Sequence, residues 1–160
     1  MAAAIAAFTR GYMTKINPDA ALWLMKSEPD AYSWDDLVAE GEGTWDGVRN
    51  HLAARNLRTM KKGDLAFFYH SNIGKEIVGI VRISKPGLTD PSDPDGKWAA
   101  VKVRPVRELK RPVTLAEIKA TPALAEMELL RLSRLSVSAV RPAEWELVEA
   151  MAKRKAPGTA

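Results

Sequence analysis

Ala21-Leu22-Trp23-Leu24-Met25-Lys26-Ser27-Glu28-Pro29 opens the patterned part of the chain. Five apolar residues without helical spacing read as a short buried strand, and the polar break Lys26 to Pro29 follows it. Ser33 with Asp36 three residues later starts a short helix through a capping box, and Gly41 ends it. Gly43 to Gly47 reads as a loop that carries Trp45. Leu52, Leu57 and Met60 give His51–Met60 helical spacing, and Lys62-Gly63-Asp64 is a turn. Leu65–His70 (LAFFYH) is an aromatic-rich strand and Ser71–Lys75 a turn. Ile77–Ile83 is a β-branched strand whose Gly79 marks a close approach of another backbone.

Leu88–Gly96, rich in Pro, Asp and Gly, reads as a surface loop. Trp98–Leu109 is strand-like, and Pro105 within it requires an edge or a bulge. Thr114 and Glu117 cap a short helix stopped by Pro122, and a second helix covers about Ala123–Leu132. Leu135–Val140 alternates like a half-buried strand, and Pro142 opens a final helix that runs to Lys153. Strands and short helices mix without regular βαβ alternation, which argues against a doubly wound parallel sheet. The expected class is α+β, a small and strongly curved mixed sheet or barrel with short helices outside it.

The 160 residues suit one domain that buries about 70% of its unfolded surface. Residues 1–20 are expected to be a flexible extension, 21–153 the domain and 154–160 a loose tail. The Ala-rich start has no basic segment like that of a signal peptide, and no apolar run approaches the roughly 20 residues of a membrane span. A cytoplasmic protein without a membrane partner is expected.

Lys and Arg number 24 against 20 Asp and Glu, a net charge of +4. The sign is segregated: Glu28–Asp46 holds seven acids and no Lys or Arg, whereas Arg49–Lys62 holds five basic residues and no acid. Lys102–Arg111 adds five basic residues and one acid. Ordinary solvated faces explain this, unless two basic segments share a face that contacts phosphate. The absence of cysteine removes disulfides, thiol nucleophiles and Cys-ligated metals, and two histidines, His51 and His70, exclude a three-His centre within one chain. Five Trp against three Phe and three Tyr is an unusual balance.

Walker A, G-x-G-x-x-G, H-E-x-x-H and G-x-S-x-G patterns are all absent. His70 and Ser71, as neighbours on a strand, point to opposite faces and do not form a nucleophile–base pair. No catalytic residue, metal or cofactor is expected. An enzyme with Glu28 or Asp46 as base and His70 as acid, or a protein-interaction module, are the alternatives. Binding has more support, because polar residues lie beside aromatics at Lys26-Ser27-Glu28, Trp45–Asn50, Tyr69–Asn72 and Arg134-Leu135-Ser136. An aromatic wall with amide, hydroxyl and carboxylate groups suits a flipped-out base, whose ring stacks while its edge is read by hydrogen bonds. Trp45 looks ligand-directed in its Gly-flanked loop, while Trp23, Trp145, Phe67 and Phe68 look like core.

Several blocks carry a further signal: Trp23–Pro29, Tyr32-Ser33, Trp45–Asn50, Met60-Lys61 with Gly63-Asp64, Phe67–Asn72, Ile77–Ile80 and Ser133–Val137. In this order, over about Ala21–Val148, they resemble the EVE domain. The resemblance implies a PUA-like fold, similar to YTH and ASCH domains, and a non-catalytic reader of modified bases in DNA or RNA. Carried over by position, the base-binding residues are Lys26, Ser27, Glu28, Trp45, Arg49, Asn50, Tyr69, His70, Ser71, Ser133, Arg134 and Ser136. Trp45 and Tyr69 would form the aromatic wall, and Glu28, Asn50 and Ser136 would read the base edge. Lys26, Arg49 and Arg134 would contact phosphate or the modification. His51-Leu52 stand where the family often has Tyr-Gln, so nothing is carried over to positions 51–56.

Overall fold

The computed structural model describes residues 20–154. The expected extension (1–20) and tail (154–160) fall outside these residues except for Ala20 and Arg154. Six strands make one sheet: β1 (Leu22–Ser27), β2 (Gly43–Trp45), β3 (Leu65–His70), β4 (Glu76–Thr89), β5 (Ala99–Thr114) and β6 (Val137–Ala139). Their order is β2-β5-β4-β3-β1-β6. β1 and β3 are parallel, with Leu22 opposite Leu65 and Ser27 opposite His70, and the other pairings are antiparallel.

Helices α1 (Trp34–Glu40), α2 (His51–Thr59), α3 (Leu115–Lys119), α4 (Glu128–Arg131) and α5 (Pro142–Lys153) surround the sheet. None is long and apolar enough to cross a membrane. Ser33 and Thr114 start α1 and α3 with the capping boxes that their sequences encode.

The central strands are buried on both faces, which is why they read as unbroken apolar runs rather than alternating ones. Leu22, Leu24, Leu65 and Phe67 join one core with Trp145 and Val148 of α5. Phe67 lies flat on Trp145, centroids 3.8 Å apart and planes within 12°. The residues between them, Trp23, Met25, Ala66 and Phe68, join the opposite core with Trp34 and Leu37 of α1, Leu57 of α2, and Trp45. Trp23 is structural in a second way: its indole N–H donates to the buried Asp64 carboxylate at 3.1 Å, which also accepts from the Lys61 amide at 2.9 Å. One acidic side chain thus ties the start of β1 to the turn before β3.

The sheet curls into a half-barrel. Register shifts interrupt the long β4–β5 pairing at four places. Each shift adds local twist and bend. Pro105 sits at one of them, opposite Val81 while Arg107 is opposite Ile80, so the bulge inferred from the sequence is present.

Three expectations change. Trp45 belongs to β2, with Gly43–Trp45 paired to Val103–Val101 of β5, and not to a loop. β4 runs on to Thr89, so the following loop begins at Asp90. The helix expected over Ala123–Leu132 splits into a 3₁₀ turn (Pro122–Leu124) and α4, because Met127 is extended between them (φ −57°, ψ 139°). That break lets Leu124, Met127 and Leu129 all reach the same core.

Gly79 is a close-approach site, but what approaches is a ring rather than a backbone. A Cβ there would lie 2.5 Å and 2.6 Å from Trp34 Cζ3 and Cη2. Trp34 is itself packed edge-on against Phe68 (5.5 Å, 81°), so its ring has no easy retreat. Gly79→Ala is expected to lower stability by about 1–3 kcal/mol through overpacking, read as a lower urea midpoint at unchanged m-value.

Candidate functional site

Because β1 and β3 are parallel, their polar C-terminal ends emerge together. The Ser71 N–H donates to the Ser27 carbonyl at 2.9 Å. Beyond β1 the chain turns on the Glu28 carbonyl, which accepts from the Ala31 and Tyr32 amides at 2.9 and 2.8 Å. Ser27 Oγ closes the turn by donating to the Tyr32 carbonyl at 2.6 Å. From the other side Lys26 holds the segment before β6: its amide donates to the Ser136 carbonyl at 2.9 Å and its Nζ to the Ser133 carbonyl at 2.8 Å. The Asp46–Asn50 loop completes an open cleft of about 840 Å³, within the usual range for ligand sites.

Ten of the twelve expected residues line this cleft: Lys26, Ser27, Glu28, Trp45, Arg49, Asn50, Ser71, Ser133, Arg134 and Ser136. Tyr69 and His70 do not. Tyr69 follows Phe67 by two strand residues and so points into the α5-side core, the opposite face of the sheet from Trp45. The expected Trp45–Tyr69 wall is therefore not formed. Burial, helped by Glu76, pushes the Tyr69 hydroxyl up to about 12. His70 is engaged in holding α1: its Nε2 accepts the Trp34 amide at 3.1 Å. Burial lowers its pKa against the opposing pull of Glu76 and Asp35, so the acceptor form prevails at neutral pH. Glu28 and Asp46 line the cleft, but His70, the acid of the catalytic alternative, does not line it with them.

Trp45 is both core and cleft wall. Its ring packs edge-on against Phe68 (5.3 Å, 86°) and Tyr32 (6.4 Å, 85°). Its indole N–H has no hydrogen-bond partner among the described residues, unlike those of Trp23 and Trp145, which bond Asp64 and Glu149. Tyr32 is the second aromatic of the cleft. The sequence holds it within one of the blocks that carry the family resemblance but gives it no role; its hydroxyl donates to Glu40. Asn50 caps α2, its Oδ1 accepting the Ala53 amide at 2.9 Å. That leaves the Asn50 NH₂ group as the part available to a ligand, a donor only.

Arg49 is clamped. Its guanidinium donates to Asp90 at 2.8 Å and lies 5.6 Å from the Trp98 ring, which in turn stacks on His51 at 5.0 Å. Asp90 is buried, and the same oxygen accepts the Gly47 amide at 2.7 Å, while its other oxygen takes Ser92 N–H and Oγ–H at 2.7 and 2.6 Å. Burial alone pushes the Asp90 carboxyl up, but bonds from Arg49, Ser92 and Gly47 outweigh it and hold the group well below the usual carboxylate range. Asp90 thus fixes the loop that carries Arg49 and Asn50. Sequence reading missed it because an Asp among Pro, Gly and Asp looks like turn chemistry. Arg134, by contrast, is exposed and makes no ion pair among the described residues.

The sequence pattern of the EVE domain matches residues 21–151. The chain belongs to the EVE domain family. Thymocyte nuclear protein 1 of Homo sapiens is 36% identical over 167 residues, covering 83% of this EVE protein and 74% of the human one. An NMR structure from Rhodopseudomonas palustris is 50% identical with a TM-score of 0.80, covering 84% of this chain and 94% of that one. The human THYN1 protein, crystallised in complex with 5-methylcytosine containing DNA, is 34% identical with a TM-score of 0.80 over 86% of this chain and all (100%) of that one. The Pho92 YTH domain, solved with m6A, shares the fold at 13% identity and a TM-score of 0.55 over 89% of this chain and 92% of that one. The PUA-like likeness to YTH domains expected from the sequence is present.

The depressed folded-state pKa of Asp90 sets a direction for stability. A carboxylate lowered on folding stabilises above its unfolded value of about 4 and loses that contribution as pH falls towards the folded value. Asp90→Asn removes the charge, so the wild type is expected to lose more unfolding free energy than the variant between about pH 5 and about pH 2, measured by urea titration. Parallel losses in both proteins would show that the Asp90 charge does not hold the loop.

Proposed function

We propose that this EVE domain binds nucleic acid and reads a modified base, a cytosine derivative first of all, drawn out of its stack into the cleft, and that it does so without chemistry. The observation that carries this reading is the complex of the human relative with 5-methylcytosine containing DNA. The cleft supports it residue by residue. Trp45 and Tyr32 offer a ring-shaped apolar surface, and stacking contributes about 1–3 kcal/mol per base. That is of the order of the few kcal/mol that unstacking a base costs, so edge contacts must add the surplus. The cytosine N4 amine is a donor, which Glu28 suits as one of the two carboxylates that line the cleft. The ring acceptors suit the Asn50 NH₂ and the Ser136 hydroxyl. Arg134 and Lys26 supply positive charge, and Arg49, neutralised by Asp90, serves to shape the loop more than to attract phosphate.

Trp45 is too deeply packed for truncation to be a clean test, since Trp→Ala in a core costs about 3–5 kcal/mol. Trp45→Phe keeps ring packing and removes the indole N–H, and Arg134→Ala removes an exposed charge. In fluorescence anisotropy the wild type is expected to prefer a 5-methylcytosine oligonucleotide over its cytosine counterpart. Arg134→Ala is expected to weaken binding about tenfold, as for a lost charge-assisted contact, and Trp45→Phe to shrink the preference. Equal wild-type affinity for every member of a modified-base panel would contradict the reading.

A further inference from the structure

Beside the main cleft lies a second cavity of about 410 Å³ that shares Lys26, Ser71 and Ser133 with it. Two more lysines, Lys75 and Lys119, line it, and its lining contains no carboxylate. The main cleft differs, since Glu28 and Asp46 line it together with its cations. Arg49, Arg104, Arg107, Arg111, Arg131 and Arg141 each pair with a carboxylate. Among the described residues Lys26, Lys75 and Lys119 have no such partner. Among the described residues Lys26 Nζ meets only neutral groups, the Ser133 carbonyl at 2.8 Å and the face of the Tyr69 ring at 5.8 Å.

The fold holds these cations together against their mutual repulsion. The Lys75 carbonyl accepts the Leu115 amide at 2.9 Å, which ties the β3–β4 turn to the start of α3, the helix that ends at Lys119. Lys75 keeps a left-handed backbone (φ 50°) in that turn, an arrangement non-glycine residues rarely adopt. Leu115, Leu129 and Leu130 give the lining an apolar part, joined by Tyr69, whose ring centroid lies 5.8 Å from Lys26 Nζ. Three ammonium groups without a carboxylate partner, beside leucine side chains, match a sugar-phosphate, whose charge meets the lysines while the sugar's carbon face rests on leucine.

We propose that this second cavity is a nucleotide subsite that holds the sugar-phosphate flanking the base in the main cleft. It rests on the base-reading function and adds where the strand runs: out of the Trp45 cleft, past Lys26 and Ser133, towards α3.

The test uses the double variant Lys75→Ala/Lys119→Ala, both positions being exposed. The ligand is a short single-stranded oligonucleotide with one central 5-methylcytosine, and affinity is measured across a salt series. The lost single-strand phosphate contact is expected to lower the log–log salt slope by about 0.7. The preference for 5-methylcytosine over cytosine is expected to stay unchanged. Replacing one flanking phosphodiester by an uncharged methylphosphonate is expected to weaken the wild type and leave the double variant unaffected. An unaltered slope with the preference intact overturns the subsite and leaves the base reading standing. Loss of the preference from the wild type itself overturns both. A wild type that binds inorganic phosphate in this cavity yet is indifferent to the methylphosphonate has a free-anion site, which also overturns the proposal.

Discussion

The parallel pairing of β1 with β3 is the constraint on which the rest of the molecule depends. Both strands are buried on both faces, so no polar side chain is tolerated along most of their length. Polar groups can appear only where the strands end, and parallel strands end together. Lys26 and Ser27 therefore come up beside His70 and Ser71. Covering two faces also requires two sets of helices. α5 seals one side through Trp145, while α1 and α2 seal the other through Trp34, Leu37 and Leu57. The segment after β1, the Asp46–Asn50 loop and the segment before β6 run around the polar ends, and they become the walls of the cleft.

Two buried carboxylates make that arrangement rigid. Asp64 gathers Trp23, Ala21 and Lys61 at the start of the central pair. Asp90 gathers Gly47, Arg49 and Ser92 at the rim of the cleft. Each takes several hydrogen bonds, the condition under which a buried charge is tolerated. The consequence for binding is a division of labour among the cations. Arg49 belongs to the scaffold, while among the described residues Arg134, Lys26 and Lys75 pair with no carboxylate.

Much of this was legible in the residues. The capping signals at Ser33 and Thr114, the bulge at Pro105 and the apolar runs of β1 and β3 led directly to the elements. The ten expected residues that line the cleft belong to blocks at or near the ends of strands. Tyr69 faces the other core, and strand parity alone separates it from Phe68 and His70. The glycines flanking Trp45 suggest a loop, whereas Gly43 begins a strand completed by pairing with Val103, a residue sixty positions away in sequence. Asp90, Tyr32, Lys75 and Lys119 were not legible as functional. Their significance comes from long-range contacts: Asp90 reaches back over 41 residues to Arg49, and Lys75 meets α3 through the Leu115 amide. Local patterns carry no information about such pairings.

The central claim is that a base enters between the strand ends and meets Trp45. Five indole N–H protons report on this separately, since Trp23 and Trp145 are hydrogen-bonded to Asp64 and Glu149 while the Trp45 donor has no partner among the described residues. The most direct measurement is a ¹⁵N-edited NMR titration with a short oligonucleotide carrying one 5-methylcytosine. The account predicts a large, saturable shift of the Trp45 indole signal, with those of Trp23 and Trp145 nearly still. Saturation of binding with the Trp45 signal unmoved would contradict it.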